Sequence, residues 1–211
     1  MPTTKTLREG STQKRAAILT AARELFLADG FDRSSVDAVA ARAGVSKRTV
    51  YDYFGDKQTL LQAVVDAIGQ SLISTIRRIL DDTLTGLTDA AELEDVLVTF
   101  SMRIATDMLD SAEYATLQRL VRARSGHVPG PGENPMADTP DEALAERFAD
   151  FAAAGLLDVP DARLAADQFI ALTFGVALNR FGSVNATEDS RVRPLIVAGV
   201  RTFLRAYRTG S

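Results

Sequence analysis

Catalysis needs nucleophiles, bases or metal ligands at workable spacing, and this 211-residue chain offers few of them. It has no cysteine, so disulfides, thiolate catalysis and zinc–thiolate sites are excluded. Its one histidine, His127, lies in the Gly/Pro-rich stretch SGHVPGPGENPMADTP (125–140), with no Ser or Cys nucleophile beside it. A lone imidazole there cannot anchor an ordinary metal site and reads as a loop residue. The acidic pairs Asp81–Asp82 and ELED (92–95) fall near expected helix ends, where caps and solvated carboxylates are common. A different chemistry is concentrated in AARAGVSKRTVYDYFGDK, residues 40–57, which joins a glycine turn, a Lys–Arg pair and two tyrosines. Two cations and a phenol on one exposed helix face suit the major groove of a duplex: cations read guanine edges, and the phenol reaches phosphate or bases.

The charge distribution agrees. The chain carries a formal charge of −4, but residues 1–57 balance at +3 and the remainder at −7. A basic head on an acidic body is the arrangement expected of a protein whose head meets a polyanion. Apolar residues make up 46% and charged residues 25%, which fits a globular protein able to bury a core. The start, MPTTKTLREG, lacks the apolar run of a signal peptide. The run FIALTFGVAL is about half the ~20 residues that a membrane span needs. A cytoplasmic location is therefore expected.

Periodicity predicts helices nearly throughout. Ile18, Ala22, Leu25 and Phe26 share a face of a first helix that stops at Gly30. Ser34 can cap a second, with Asp37 three positions on in a capping-box-like arrangement and Val36, Val39, Ala40 and Ala43 as its apolar stripe. Gly44 then supplies a tight turn, and Ser46 can cap a third helix ending near Phe54. From the capping candidate Asp56, apolar residues recur every four positions from Leu60 to Leu80, predicting a helix of roughly 40 Å that can serve two domains. Further helices are expected at about 89–109, 111–124, 140–155, 161–182 and 188–208, with 125–140 a loop that no regular element spans. There are no alternating strand patterns. The fold class is all-α, and the expected domains are 1–56 and 57–211.

Two short helices joined at Gly44 form a helix-turn-helix. Residues 15–61, RAAILTAARELFLADGFDRSSVDAVAARAGVSKRTVYDYFGDKQTLL, resemble the DNA-binding domain of the TetR (tetracycline-repressor-like) family. The landmarks AA, LF and GF, then AGVSKRTVYDYF and a following lysine, stand in register. The resemblance implies a homodimeric, mostly repressing transcription factor whose helical C-terminal domain binds a small effector. It makes Lys47, Arg48 and Tyr51 candidates for base or groove contacts, and Ser35, Thr49, Tyr53 and Lys57 candidates for phosphate contacts. Ser46, the expected cap, joins this DNA-binding set. Asp52 either accepts from a cytosine amino group or faces solvent.

The remainder of the chain is less specific. Arg103, Asp107, Tyr114, Gln118 and Arg122, with Asn179 on a later helix, interrupt apolar sequence and are candidates for directing groups in an effector pocket. Surface ion pairs explain them equally well. Phe100, Ile104 and Phe174 are candidate apolar lining, as is Met108, and a plain core explains these too. RLAADQFIALTFGVALNRFG is apolar on two faces, one carrying Leu164, Phe174 and Phe181 and the other Phe169, Leu172 and Val176. Gly175 would allow close helix approach. Phe174 and Phe181, with Ile196, Val200 and Phe203 of the last helix, are the expected dimer interface.

The function expected is a ligand-responsive DNA-binding regulator, a repressor released from a palindromic operator by a small molecule. It is expected to be no enzyme, to hold no metal or cofactor, and to act away from membranes. The alternatives are an all-α enzyme and a constitutive DNA-binding dimer without an effector.

Overall fold

In the computed structural model the described residues are 4–125, 135–182, 184, 187 and 189–209, with side chains described at 10–121 and, within the rest, from 142 onward. They are helical and contain no strand; an isolated bridge pairs Leu157 with Arg208. His127 lies outside the described residues, as does the side chain of Arg122. The chain divides into two compact units, residues 1–69 with 116–128 and residues 70–115 with 129–211. The break therefore falls after Gly69, thirteen residues beyond the expected boundary at 56 and 57.

The first unit contains α1 (Thr4–Ala28), α2 (Val36–Ala43), α3 (Lys47–Phe54) and the beginning of α4 (Lys57–Leu84). Ile18, Ala22 and Phe26 of α1 and Val36, Val39 and Ala40 of α2 are buried as the spacing predicts, with Leu25 and Ala43 half-buried, and Val50, Phe54, Leu60 and Leu61 are buried as well. By length and composition α4 could also cross a membrane, more so than the FIALTFGVAL run. Core helices pass the same test, and the four-residue apolar repeat of α4 from Leu60 to Leu80 is buried.

The cap of α2 differs from expectation. Ser35 is the capping residue, and its Oγ accepts from the Ala38 N–H at 3.1 Å. Ser34 is buried instead, and its hydroxyl lies within bonding reach of the Gly30 carbonyl at 2.7 Å and the Leu25 carbonyl at 3.1 Å. One hydroxyl thus ties the α1–α2 connection to the end of α1. At the other end of α2, Gly44 sits at φ +66°, and its N–H closes on the Ala41 carbonyl while that of Val45 closes on Ala40.

The second unit holds the rest of α4, α5 (Leu93–Arg103), a π-helical turn (Ile104–Leu109), the start of α6 (Ala112–Ser125), α7 (Pro135–Ala153), α8 (Ala162–Ile170), a second π turn (Ala171–Gly175), α9 (Val176–Phe181) and α10 (Val192–Tyr207). Helix α7 begins inside the stretch expected to be loop. Pro135 occupies its first position, where the missing N–H costs nothing and the fixed φ favours a helix. The core is built on aromatic rings: Phe148 stacks on Phe203 at 5.0 Å, and Phe169 meets both edge-on at 5.5 and 5.1 Å.

Two further expectations fail for packing reasons. Ile196, Val200 and Phe203 are fully enclosed within the single chain, and Phe174 is 5% exposed. They fill the chain's own core and leave no surface there for a partner. The ring of Phe181 is covered in part by the Arg191 guanidinium at 4.3 Å. The glycine that permits close approach is Gly199 rather than Gly175. A Cβ at Gly199 would lie 2.6 Å from the Leu172 carbonyl carbon, whereas one at Gly175 would meet only Ala171 Cβ at 4.0 Å. The close crossing is that of α10 over the second π turn.

Candidate nucleic-acid interface

The α3 surface follows from its two faces. Val50 and Phe54 point into the core, so Lys47, Arg48, Tyr51 and Asp52, at the intervening positions of an eight-residue helix, point out. Ser46 starts the helix by accepting the Thr49 N–H at 3.1 Å, and its Oγ also lies 2.8 Å from Thr49 Oγ1. Gly55 at φ +74° ends it.

The cations on this surface are not equivalent. The Arg48 side chain is 90% exposed and stands 3.9 Å from Asp52 one turn on, a loose pair that leaves the guanidinium free to swing. Lys47 is held: its Nζ donates to Asp37 Oδ2 on α2 at 2.9 Å. That hydrogen bond and the carboxylate charge raise the Lys47 ammonium above its ordinary pKa. Lys57, at the first turn of α4, lies over the Phe31 ring at 4.3 Å with its Nζ 3.4 Å from the Asp32 carbonyl. Asp56 caps the same helix through the Thr59 N–H at 2.7 Å, and this bond holds its carboxyl below the usual range.

Among the expected phosphate ligands, Ser35 keeps a hydroxyl proton to donate, because its cap uses only the oxygen lone pair. Tyr53 is already engaged: its hydroxyl donates to the Ser11 carbonyl at 3.1 Å and lies 2.8 Å from Ser11 Oγ. Tyr51 is 43% exposed and has the more accessible ring of the two. Sequence reasoning missed the acidic partner of Lys47. The pairing is ten residues apart, and no helical spacing signals it.

In the second unit the candidate pocket residues separate. Phe100, Ile104, Met108 and Phe174 are buried, and Phe100 lies 6.2 Å from Phe169. Arg103 bonds Asp82 at 3.1 Å and Asp107 at 3.4 Å, a network that raises the guanidinium pKa, chiefly through Asp82. These groups satisfy each other in a partly exposed ion-pair network. Asn179 is exposed on α9, apart from the buried set, and Tyr114 is half-buried. Gln118, also half-buried, belongs with Arg122 to the segment of α6 in the first unit. A polar recess of about 330 Å³ lies between α4 and α7, edged by Arg77, Asp81, Glu146 and Arg147. A shallower one of about 470 Å³ runs along α10 beside Pro194, Val197 and Ala198.

A helix-turn-helix whose second helix presents cations, among described residues that form helices and no strand, is the arrangement of a DNA-binding protein. Residues 18–64 match the model described as bacterial regulatory proteins, tetR family. Residues 95–209 match that of the AefR-like transcriptional repressor C-terminal domain. The chain belongs to the TetR family. A protein assigned to the same family from Mesorhizobium loti MAFF303099 superposes with a TM-score of 0.79 at 25% identity, covering 94% of this chain and 98% of that one. The flavonoid-responsive regulator FrrA superposes at 0.69 with 26% identity over 95% of this chain and 100% of its own. The HTH-type transcriptional activator FasR of Mycolicibacterium smegmatis is 37% identical over 71 residues, 34% of this chain and 32% of that protein. The chain thus spans about a third of that curated relative.

Proposed function

We propose that this protein is a homodimeric repressor that binds a palindromic operator and is released from it by a small-molecule effector. The observation that carries the reading is the outward face of α3, where Lys47, Arg48 and Tyr51 stand exposed over a buried Val50 and Phe54. Lys47, Arg48 and Tyr51 take the base and groove contacts. Ser35, Thr49 and Lys57 take phosphates, with Ser46 fixing the start of the helix. The match to a repressor's C-terminal domain supports repression. A structural neighbour named as flavonoid-responsive supports a small effector, without naming this one. The regulator performs no covalent chemistry and works in the cytoplasm.

A dimer places two α3 helices one groove repeat apart, roughly 34 Å, or a multiple of it. The surface proposed to pair the copies is the outer face of α8, α9 and α10. Leu164, Val176 and Leu178 are exposed there, and Pro194 and Ala198 line the α10 recess. An effector that displaces α4 in the second unit acts on the first through a continuous 28-residue helix that begins at Lys57. DNA and effector then compete through the dimer's conformational equilibrium.

A duplex pool with a randomised core, enriched by binding to the protein, tests the reading. Enrichment of a two-fold symmetric sequence is expected. Arg48→Ala should cost about 1–3 kcal/mol at one base position in each half-site. A uniform loss over all sequences would make Arg48 a phosphate clamp, and no enrichment at all would refute operator recognition. The packed Phe100, Phe148, Phe169 and Phe203 cluster favours a second reading, a constitutive dimer without effector. A screen of small aromatic compounds for release of the enriched duplex separates the two.

A further inference from the structure

We infer that Asp37 is a specificity-determining positioning residue, which holds Lys47 for base readout and withholds it from phosphates. The inference rests on the reading of α3 as the recognition helix. Asp37 lies on the first turn of α2, and its carboxylate meets Lys47 on the outward face of α3, the face read here as turned to the duplex. A negative charge on that face repels phosphate. It is retained beside a helix N-terminus, which favours an anion. The charge faces Lys47, whose Nζ it binds at 2.9 Å, and both side chains are more than half exposed.

Non-specific binding to DNA is driven by counterion release, and each free cation that reaches a phosphate adds to it. A lysine already compensated by a carboxylate adds nothing until its pair opens. The ammonium has three N–H donors, however, and Asp37 takes only one. The other two remain for acceptors in the groove, such as guanine O6 and N7. The tether also removes the freedom of a long flexible stem, so the remaining donors are presented from one place. The other exposed cation of this face, Arg48, has no comparable restraint, because its partner is 3.9 Å away.

The test is a salt titration of binding to a labelled 30-base-pair duplex of random sequence and to a duplex enriched by the wild type. Asp37→Asn is expected to bind the random duplex about fivefold to tenfold tighter near 0.1 M salt, with a salt slope steeper by about 0.9. Its preference for the enriched duplex should fall, and Asp37→Glu should restore it. The steeper slope should vanish in Lys47→Gln/Asp37→Asn. Asp66→Asn, an equal charge change on α4, should leave both duplexes unaffected. Should Asp37→Asn fail to fold, Lys47→Gln alone decides: an unchanged random-duplex slope with a lowered preference supports the tether. A slope shallower by about one would show that Lys47 already grips phosphate, and would overturn it. Unchanged binding by Asp37→Asn, or the same gain from Asp66→Asn, also overturns it while leaving DNA recognition intact. A wild type that binds neither duplex overturns both.

Discussion

The hydroxyl of Tyr53 donates to the backbone carbonyl of Ser11 at 3.1 Å, tying the end of α3 to the N-terminal part of α1 forty-two residues earlier. The bond uses the group expected to meet phosphate. Tyr53→Phe should therefore cost about 0.5–1.5 kcal/mol of stability, the ordinary net worth of a hydrogen bond, and leave the salt slope of DNA binding unchanged. Urea unfolding and the salt titration check the two halves. A slope reduced by about one would return Tyr53 to the phosphate contacts.

At Gly199 helix α10 passes close against the second π turn. A methyl group there would press on the Leu172 carbonyl, which belongs to a π turn and cannot retreat as a flexible side chain can. Gly199→Ala should destabilise by about 1–3 kcal/mol, read as a lower urea midpoint. Gly175→Ala meets only ordinary contact and should leave the midpoint unchanged or raised, since alanine is the better helix former.

Core and interface can be separated by two substitutions. Phe203→Ala empties a fully buried site within the aromatic cluster and should cost about 3–5 kcal/mol. Val176→Asp changes an exposed residue, 37% accessible, and should keep the helical signal while giving monomers by light scattering. A Val176→Asp dimer as tight as the wild type would move the interface elsewhere.

Asp189 gives a pH signature. Three Arg191 donors bond its carboxylate, Nη2 at 2.7 Å, the backbone N–H at 2.9 Å and Nε shared between both oxygens at 2.9 and 3.2 Å, and its pKa falls from 3.8 to about 2. The depressed folded value means that the charged form favours folding. Its contribution is complete above the unfolded pKa and is lost as pH falls from about 4 towards 2. The thermal midpoint of Asp189→Asn should sit below that of the wild type by a constant amount near neutrality, and the gap should close across that acid window. A gap that persists below pH ~2 would assign the effect to the turn's geometry instead of its charge.

Local signals determined much of this molecule in advance. The apolar spacing of α1 to α4 needs only the 3.6-residue repeat, and the Gly44 turn needs only a residue at ease with positive φ. The cation-bearing face of α3 then follows, because burying Val50 and Phe54 leaves Lys47, Arg48 and Tyr51 no other direction. The expected cap of α2, Ser34, is wrong by one residue, since Ser34 and Ser35 are chemically alike and only the reach of one hydroxyl to the Leu25 and Gly30 carbonyls separates them.

Tertiary structure decided the rest. Periodicity shows that the run forming α8 and α9 is apolar on two faces, but an apolar residue buried in its own core and one awaiting a partner have the same side chain. Phe148, brought from α7, closes over Phe169 and Phe203 and assigns those rings to the chain's own core, leaving Leu164, Val176 and Leu178 outside. The Asp37–Lys47 and Tyr53–Ser11 contacts likewise join residues ten and forty-two apart. Contacts of that range depend on how the helices cross, and a repeat read along one helix carries no record of its neighbour.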